Sequence, residues 1–339
     1  MNKKYLLAGA IFAATSQAKA ITFNFTDTTA GGMQAEALAG FQQAADIWSS
    51  ILTDNIAINF DIRFDGTLAS NVLGSTSSIG SAYTYTSVRA ALLGAATSSD
   101  DAIATAALPT GSSIEFLTNN TSDSSVYLDN DGSANNSALA VNNANAKALG
   151  LLGASSDSDG SIAFNSAFTW DFDQSDGIDA GKQDFVGVTV HEIGHALGFV
   201  SGVDTVDFYH GSGDGAGSTI DLDGFAIFSV WDLFRYSAAG QLDFSTGGDP
   251  YFSIDGGATS IATFSTGSAN GDGNQASHWE DNLGYGLLDP TANPAGQINT
   301  LSSLDLRAFD VMGFAVIPEP SSILLGALSC LLPLLHRRR

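Results

Sequence analysis

The stretch His191-Glu192-Ile193-Gly194-His195-Ala196-Leu197-Gly198 constrains this chain more than any other. Two histidines four residues apart, with a glutamate beside the first, form an H-E-x-x-H pattern. The approach is apolar (Phe185, Val186, Val188, Val190), and Gly198 follows the second histidine by three residues. This spacing predicts a buried α-helix that stops at the glycine. Residues four apart lie one turn apart on one helix face, so both imidazoles can reach a single cation. Glu192 projects to the side, where it can hold and deprotonate a metal-held water without filling a coordination position. Zn²⁺ suits this donor set: it favours neutral imidazole nitrogen and lowers the pKa of bound water from about 15.7 to about 7. The pattern predicts a hydrolytic zinc centre.

The two ends read as processing segments. Lys3 and Lys4 precede an apolar run over residues 5–14, and Ala18-Lys19-Ala20 supplies small residues for cleavage after Ala20, as in a secretory signal peptide. At the other end Pro318-Glu319-Pro320 is followed by Ser321-Ser322, an apolar run over residues 323–335, and His336-Arg337-Arg338-Arg339. That run is short for a spanning helix, which needs about 20 residues, and its arginines would stay on the cytoplasmic side. The tripartite tail resembles the PEP-CTERM sorting signal of Gram-negative, exopolysaccharide-producing bacteria. The resemblance covers residues 318–339. It implies export, cleavage near Pro-Glu-Pro by an exosortase-type membrane protease, and delivery to the cell surface, outer membrane or extracellular matrix. The membrane is then a partner only through the tail before processing. A plain C-terminal membrane anchor is the alternative.

Trimming removes Lys3, Lys4, Lys19, Arg337, Arg338 and Arg339 from 12 basic residues, and Glu319 from 36 acidic ones, leaving a net charge of −29. So acidic a chain disfavours nucleic acid and anionic lipid as partners. The single cysteine, Cys330, lies in the tail, so residues 21–317 hold no disulfide and depend on their core for stability.

Between the ends the periodicities predict an α+β domain. Residues 21–25 read as a short strand, and residues 33–52 as a helix with Leu38, Phe41, Ala45, Trp48 and Leu52 along one face. The clearest strand follows, with Ile56, Ile58, Phe60, Ile62 and Phe64 alternating with Ala57, Asn59, Asp61 and Arg63. Residues 66–82, rich in Gly and Ser, read as a loop. Residues 87–96 and 100–108 read as short helices, 113–117 and 126–128 as strands, and 142–152 as a helix ending at Gly153. Residues 160–172 read as a strand. After Val200 the chain is expected to turn at Ser201-Gly202 and to continue as a Gly/Asp-rich loop to about residue 217. Residues 225–235 fit helix or strand. A hairpin near the surface is expected over residues 251–254 and 260–264. A closing helix is expected over residues 303–311, with Ser302-Ser303 as cap and Gly313 as stop. No repeat of fixed period is present.

A catalytic zinc site has three protein ligands and one open position. Beyond the helix pair, the candidates are His278, His210, Asp204 and Glu280. In metzincins the third histidine comes six residues after the second, and here that position is Ser201, a weak ligand. His278 sits in Ser277-His278-Trp279-Glu280-Asp281, followed by Leu283-Gly284-Tyr285-Gly286-Leu287-Leu288-Asp289-Pro290. This resembles leishmanolysin-type metalloproteases, where an insertion separates the zinc helix from a distant His in an H-W-E context and a Met-containing turn floors the site. Two features depart from that pattern: a separation of 83 residues, and Leu287-Leu288 where the family has Met. A leucine still supplies an apolar floor. Residues 185–204 also resemble secreted bacterial metalloproteases that carry the same tail. The resemblance implies a zincin-like metalloprotease fold, with a twisted, mixed or mainly antiparallel sheet packed on the active-site helix. It implies a larger N-terminal part (about 21–202) and a smaller C-terminal part (203–317). In zincins a strand in the place of residues 160–172 often forms the edge along which an extended peptide lies; an ordinary core strand is the other reading.

Asp-rich loops recur at Asp129-Asn130-Asp131-Gly132, Asp157-Ser158-Asp159-Gly160, residues 171–177 and Asp221-Leu222-Asp223-Gly224. None completes a twelve-residue Ca²⁺ loop, so ordinary turns are the better reading, with a structural Ca²⁺ left open. No Walker loop, dinucleotide fingerprint or nucleophile elbow is present. The expectation is an exported zinc endopeptidase acting on protein or peptide substrates, after handling by signal peptidase and an exosortase-type enzyme. His191, His195 and His278 are the metal ligands and Glu192 the general base. The alternatives are a non-catalytic acidic surface or matrix protein, and a zinc hydrolase of another amide such as peptidoglycan.

Overall fold

The described chain, residues 21–218 and 220–317 of a computed structural model, opens with strand β1 (Thr22–Asp27), helix α1 (Ala35–Ile51) and strand β2 (Ala57–Asp65). Strands β3 (Gly74–Ser78) and β4 (Gly80–Thr84), helices α2 (Tyr85–Ala95) and α3 (Ser99–Ala107), and strands β5 (Phe116–Asn119) and β6 (Val126–Asp129) follow. Next come α4 (Ala134–Ser137), β7 (Ala138–Asn142), α5 (Asn143–Ala148), β8 (Gly160–Asn165), and two-residue strands β9 (Trp170–Asp171) and β10 (Gln183–Asp184). The remainder holds α6 (Phe185–Leu197), α7 (Val203–Tyr209), β11 (Arg235–Ala238), β12 (Gln241–Asp243), β13 (Tyr251–Phe252), β14 (Ala262–Thr263) and α8 (Ser303–Val311). The class is α+β. The expected signal segment and sorting tail lie outside the described residues, as does Cys330. Among the described residues no helix is long and apolar enough to cross a membrane.

A four-stranded mixed sheet, ordered β1-β2-β8-β3, carries the helix that matters. β1, β2 and β8 run parallel, and β3 pairs antiparallel with β8. The alternation read from the sequence buries Ile58, Phe60 and Ile62 on one face of β2. Helix α6 packs against β8 and β3, and α1 packs against α6. Gly40 makes that crossing close: a Cβ there would fall 2.5 Å from a ring carbon of Phe185. Trp48 donates its indole N–H to the Val190 carbonyl at 3.0 Å. The buried face of α1 is Ala37, Phe41, Ala44, Ala45 and Trp48, and Leu38, expected on it, is exposed.

Several elements differ from expectation. Residues 66–82 are not one loop, since they contain β3 and the start of β4. Gly-Ser-Thr-Ser-Ser has no apolar alternation, and it is a strand because its backbone pairs with β8. The strand expected over 160–172 stops at Asn165, whose side chain accepts the Ala167 N–H and turns the chain. It lies inside the sheet, and β3 takes the edge. A short helix, α7, occupies part of the expected loop after Ser201. Residues 225–235 resolve into a 3-10 turn at Trp231–Phe234 leading into β11. The β13–β14 hairpin forms as expected but inside the protein, with Phe252 and Ala262 buried. The helix expected over 142–152 shrinks to α5: β7 claims Asn142 for pairing with β4 at its start, and it ends at Ala148, with Leu149 as its cap and Gly150 at φ +67° beyond. Helix α8 matches its expectation, with Ser302 and Asp305 forming a reciprocal capping box and Gly313 at φ +94° beyond it.

A second sheet, ordered β14-β13-β11-β12-β5-β6, combines β5 and β6, from before α6, with strands from after it. The parallel pairing of β12 with β5 joins the two parts of the chain, so both contribute to this sheet.

One ion pair lies deep in the fold. Lys147 Nζ is 2.6 Å from Asp159 Oδ2, and both side chains are about 2% exposed. Lys147 also donates to the Ala57 carbonyl, and Asp159 accepts the Asn59 N–H, so the pair ties α5 to β2 and the approach to β8. Removing one partner strands a buried charge. Lys147→Ala is expected to lower the unfolding free energy by about 3–5 kcal/mol in urea titrations.

Candidate metal centre

Helix α6 is fixed at both ends and on most of its circumference. Asp184 caps its first turn, accepting the Gly187 N–H at 2.9 Å, and also accepts the Asn299 N–H at 2.8 Å. The helix ends at Gly198, whose φ of +131° is open to glycine and strained for other residues. Phe185, at its start, sits among Phe41, Phe64, Phe164, Trp170 and Phe172. Phe199, just past its end, packs on Trp231, Trp279 and Phe309. The histidines therefore project from a helix clamped between two aromatic clusters.

The three predicted histidines come together. His195 Nε2 lies 2.9 Å from His191 Nε2 and 3.1 Å from His278 Nε2. Among the described residues they are the only group of three or more His, Cys, Asp or Glu whose ligand atoms gather within 4.8 Å. Each ring turns its other nitrogen to a backbone carbonyl: His191 Nδ1 to Leu287 at 2.8 Å, His195 Nδ1 to Phe199 at 2.7 Å, and His278 Nδ1 to Gln275 at 3.2 Å. A carbonyl only accepts, so each Nδ1 carries the proton and each neutral ring aims a bare Nε2 lone pair at the other two. Three lone pairs cannot satisfy one another, and a cation among them can satisfy all three. Burial pushes the His195 imidazole down to about 3, and the neighbouring His191 adds to it. His278 is held well below the usual histidine range, first by burial and then by the other two rings. Neutral rings in this tautomer are the ligating form, and tetrahedral Zn–N bonds of about 2.0–2.1 Å would space their nitrogens by about 3.3 Å. The donor set fits Zn²⁺.

His278 reaches the helix because buried carboxylates hold its loop. Asp204, on α7, accepts the Ala276 N–H at 2.6 Å, the Ser277 N–H at 3.2 Å and the Ser277 hydroxyl. Asp305, fully buried on α8, accepts Trp279 Nε1 at 2.9 Å, the Leu287 N–H at 2.8 Å, the Leu288 N–H at 3.3 Å and the Ser302 N–H at 2.8 Å. One carboxylate thus positions both the residue after His278 and the peptide whose carbonyl orients His191. Leu288 packs on α6, its methyl carbons 3.0 and 3.2 Å from where a Cβ on Gly194 would stand, and Leu287 lines the cleft beside the histidines.

Glu192 sits under the edge strand. Thr76 Oγ1 lies 2.7 Å from Glu192 Oε2 and 2.9 Å from the Glu192 carbonyl, with one proton to donate between them. Gly74 makes room for the carboxylate, since a Cβ there would fall 2.8 Å from Oε1. Burial pushes the Glu192 carboxyl up, opposed by His191 and by the Thr76 hydroxyl. All four residues face a cleft of about 900 Å³ between β3 and the segment running from Leu287 through Pro290 to Asn299. Leu73 and Ile79 bond to the β8 side, so by antiparallel alternation the N–H and C=O groups of Gly74, Thr76 and Ser78 point to the open edge.

The other candidates lie elsewhere. Asp204 is a holder of the His278 loop. His210, expected in a solvated loop, is buried, with Nε2 at 2.7 Å from Thr246 Oγ1. Glu280 accepts the Thr263 hydroxyl. Ser201, at the metzincin position, donates to buried Asp232 at 2.5 Å. The Asp-rich loops spend their carboxylates on local turns and on the Lys147 pair, although Asn135 brings two of them together by bonding both Asp129 and Asp223. Thr76 and Gly74 had no mark in the sequence. Asp305 was visible only as the third residue of a capped helix.

No family model, curated protein or solved structure matches this chain. The reading of the site therefore rests on its own geometry. Asp305→Asn replaces a four-fold acceptor with a group that can accept through one atom only. It is expected to weaken Zn²⁺ binding about 10–100-fold in competition titrations against a chromophoric chelator.

Proposed function

We propose that this chain is a zinc-dependent endopeptidase of zincin-like architecture. The observation that carries the reading is the convergence of three bare Nε2 atoms beside the Glu192 carboxylate, at the base of a cleft bordered by an open strand edge. His191, His195 and His278 would hold the ion. When bound, Zn²⁺ supplies a Lewis acid that acidifies water and polarises a carbonyl.

The protein's own groups supply the rest. Glu192 takes the proton from the attacking water and delivers it to the leaving amine. Its burial favours this shuttle, because a carboxyl raised from its ordinary range accepts and returns a proton more evenly. Thr76 fixes one carboxylate oxygen, and Oε1, beside Gly74, takes no hydrogen bond from the described residues. The open edge of β3 offers main-chain donors and acceptors to an extended peptide, which binds by strand addition with little dependence on side chains. A peptide backbone suits that edge, and this favours the peptidase over hydrolysis of other amides. The two terminal sequence patterns support action outside the cytoplasm.

Purified protein is expected to hold about one zinc per chain and to cleave unstructured peptides. Glu192→Ala should retain the metal and lose cleavage, whereas His278→Ala should lose both, by metal analysis and a peptide assay run side by side. A folded wild type with neither zinc nor cleavage would sink the reading and leave the matrix-protein alternative. Thr76→Val leaves the ligands intact and frees the carboxylate, so kcat is expected to fall about 10–100-fold with KM and zinc content little changed. Thr76→Ser should restore most of the rate.

A further inference from the structure

The cleft's side chains are chemically unlike the rest of the protein. The whole chain carries 36 acidic and 12 basic residues, yet Glu192 and the three histidines are the only ionisable side chains that line the cleft. Two kinds of group make up much of the remaining wall. Val188, one turn before Glu192 on α6, joins Leu287 and Pro294 in an apolar portion. Asn71, Gln183 and Gln275 contribute carboxamides, and none of these amide groups bonds to a described residue of the protein. The wall at residues 290–294 is pre-set: Asn293, between two prolines, donates its side-chain amide to the Ile298 carbonyl at 2.9 Å and its backbone N–H to Asn299 Oδ1 at 2.8 Å.

Such a surface discriminates by charge in a direction that net charge alone would not give. The anionic protein attracts cationic peptides from a distance, but at physiological salt that field decays over about 8 Å. Inside the cleft the deciding quantity is local. A lysine or arginine entering it surrenders water and meets no opposite charge beyond the catalytic carboxylate; an aspartate or glutamate meets none beyond the ion, where it would compete with the scissile carbonyl, and such desolvation is not screened by salt. A carboxamide both donates and accepts, so it serves backbone amides, hydroxyls and other carboxamides equally well. Desolvation therefore outweighs the long-range attraction.

Building on the peptidase reading, we propose that the substrate is an uncharged stretch of polypeptide. The residues flanking the cleaved bond are small, hydroxyl-bearing, amide-bearing or aliphatic, and acidic and basic residues are both rejected there.

The test uses the purified protein and a neutral parent peptide that it cleaves. Single Asp or Lys substitutions are placed at the two positions on either side of the cleaved bond. Each is expected to lower kcat/KM by about tenfold or more at 0.15 M salt, and the loss from Lys should persist at higher salt. Cleavage of Lys or Asp peptides as fast as the parent overturns the inference and leaves the peptidase reading intact. Gln183→Glu supplies the missing countercharge and should raise kcat/KM for a Lys peptide relative to the parent. If no peptide of any charge is cleaved, the peptidase reading falls. Fluorescent versions of the same peptides, titrated onto the Glu192→Ala protein, then decide the inference alone: tighter binding of the neutral set supports it, and equal binding overturns it.

Discussion

Three backbone carbonyls, those of Leu287, Phe199 and Gln275, decide which way the histidines face. Each draws the Nδ1 proton of one ring and so sends a bare Nε2 lone pair toward the same point. Much of the surrounding structure holds those carbonyls still. Phe199 lies in an aromatic cluster, Leu287 is held by Asp305, and Gln275 precedes a segment tied to Asp204. The histidines name the chemistry, but the orientation comes from main chain that the motif does not contain.

The division of labour between charge and fold follows the same logic. The acidic groups that matter most are not on the surface. Asp184, Asp204, Asp232 and Asp305 are buried or nearly so, and each accepts at least one backbone N–H from a segment distant in sequence. With no cysteine among the described residues, these carboxylates are the cross-links of the C-terminal part. Backbone N–H groups and hydroxyls oppose the cost of burying these carboxyls, which still pushes Asp204 up to about 6 and raises Asp232, where Arg235 also opposes the rise.

Much of this was legible in the sequence where hydrophobic period and local chemistry agree. The H-E-x-x-H helix, its stop at Gly198, the β2 alternation and the Ser302-capped α8 all follow from side chains within a few residues of one another. His278 was legible as a candidate through its neighbours, but not its delivery across 83 residues, which depends on Asp204 and Asp305. Strand β3 was illegible for a physical reason. Its burial alternates but its hydrophobicity does not, because the face turned to α6 meets the Glu192 carboxylate and takes Gly74 and Thr76 where apolar residues would otherwise stand, so pairing with β8 alone marks it as a strand. The misplacement of Leu38 has a similar origin, since α1 turns its smallest residues, Ala37 and Gly40, toward α6 to let Trp48 and Phe41 reach it.

That same strand shows how an edge left open for function can be made a poor template for other copies. An open sheet edge is a template for any exposed strand, and in other settings it seeds fibrils. Here the edge is five residues of Gly, Ser and Thr, too short and too polar to stack another sheet upon, and it opens into a walled groove and not onto a flat face. Placing this short polar edge beside Glu192 in the cleft therefore leaves it open to a single extended chain while giving a second sheet little to stack on.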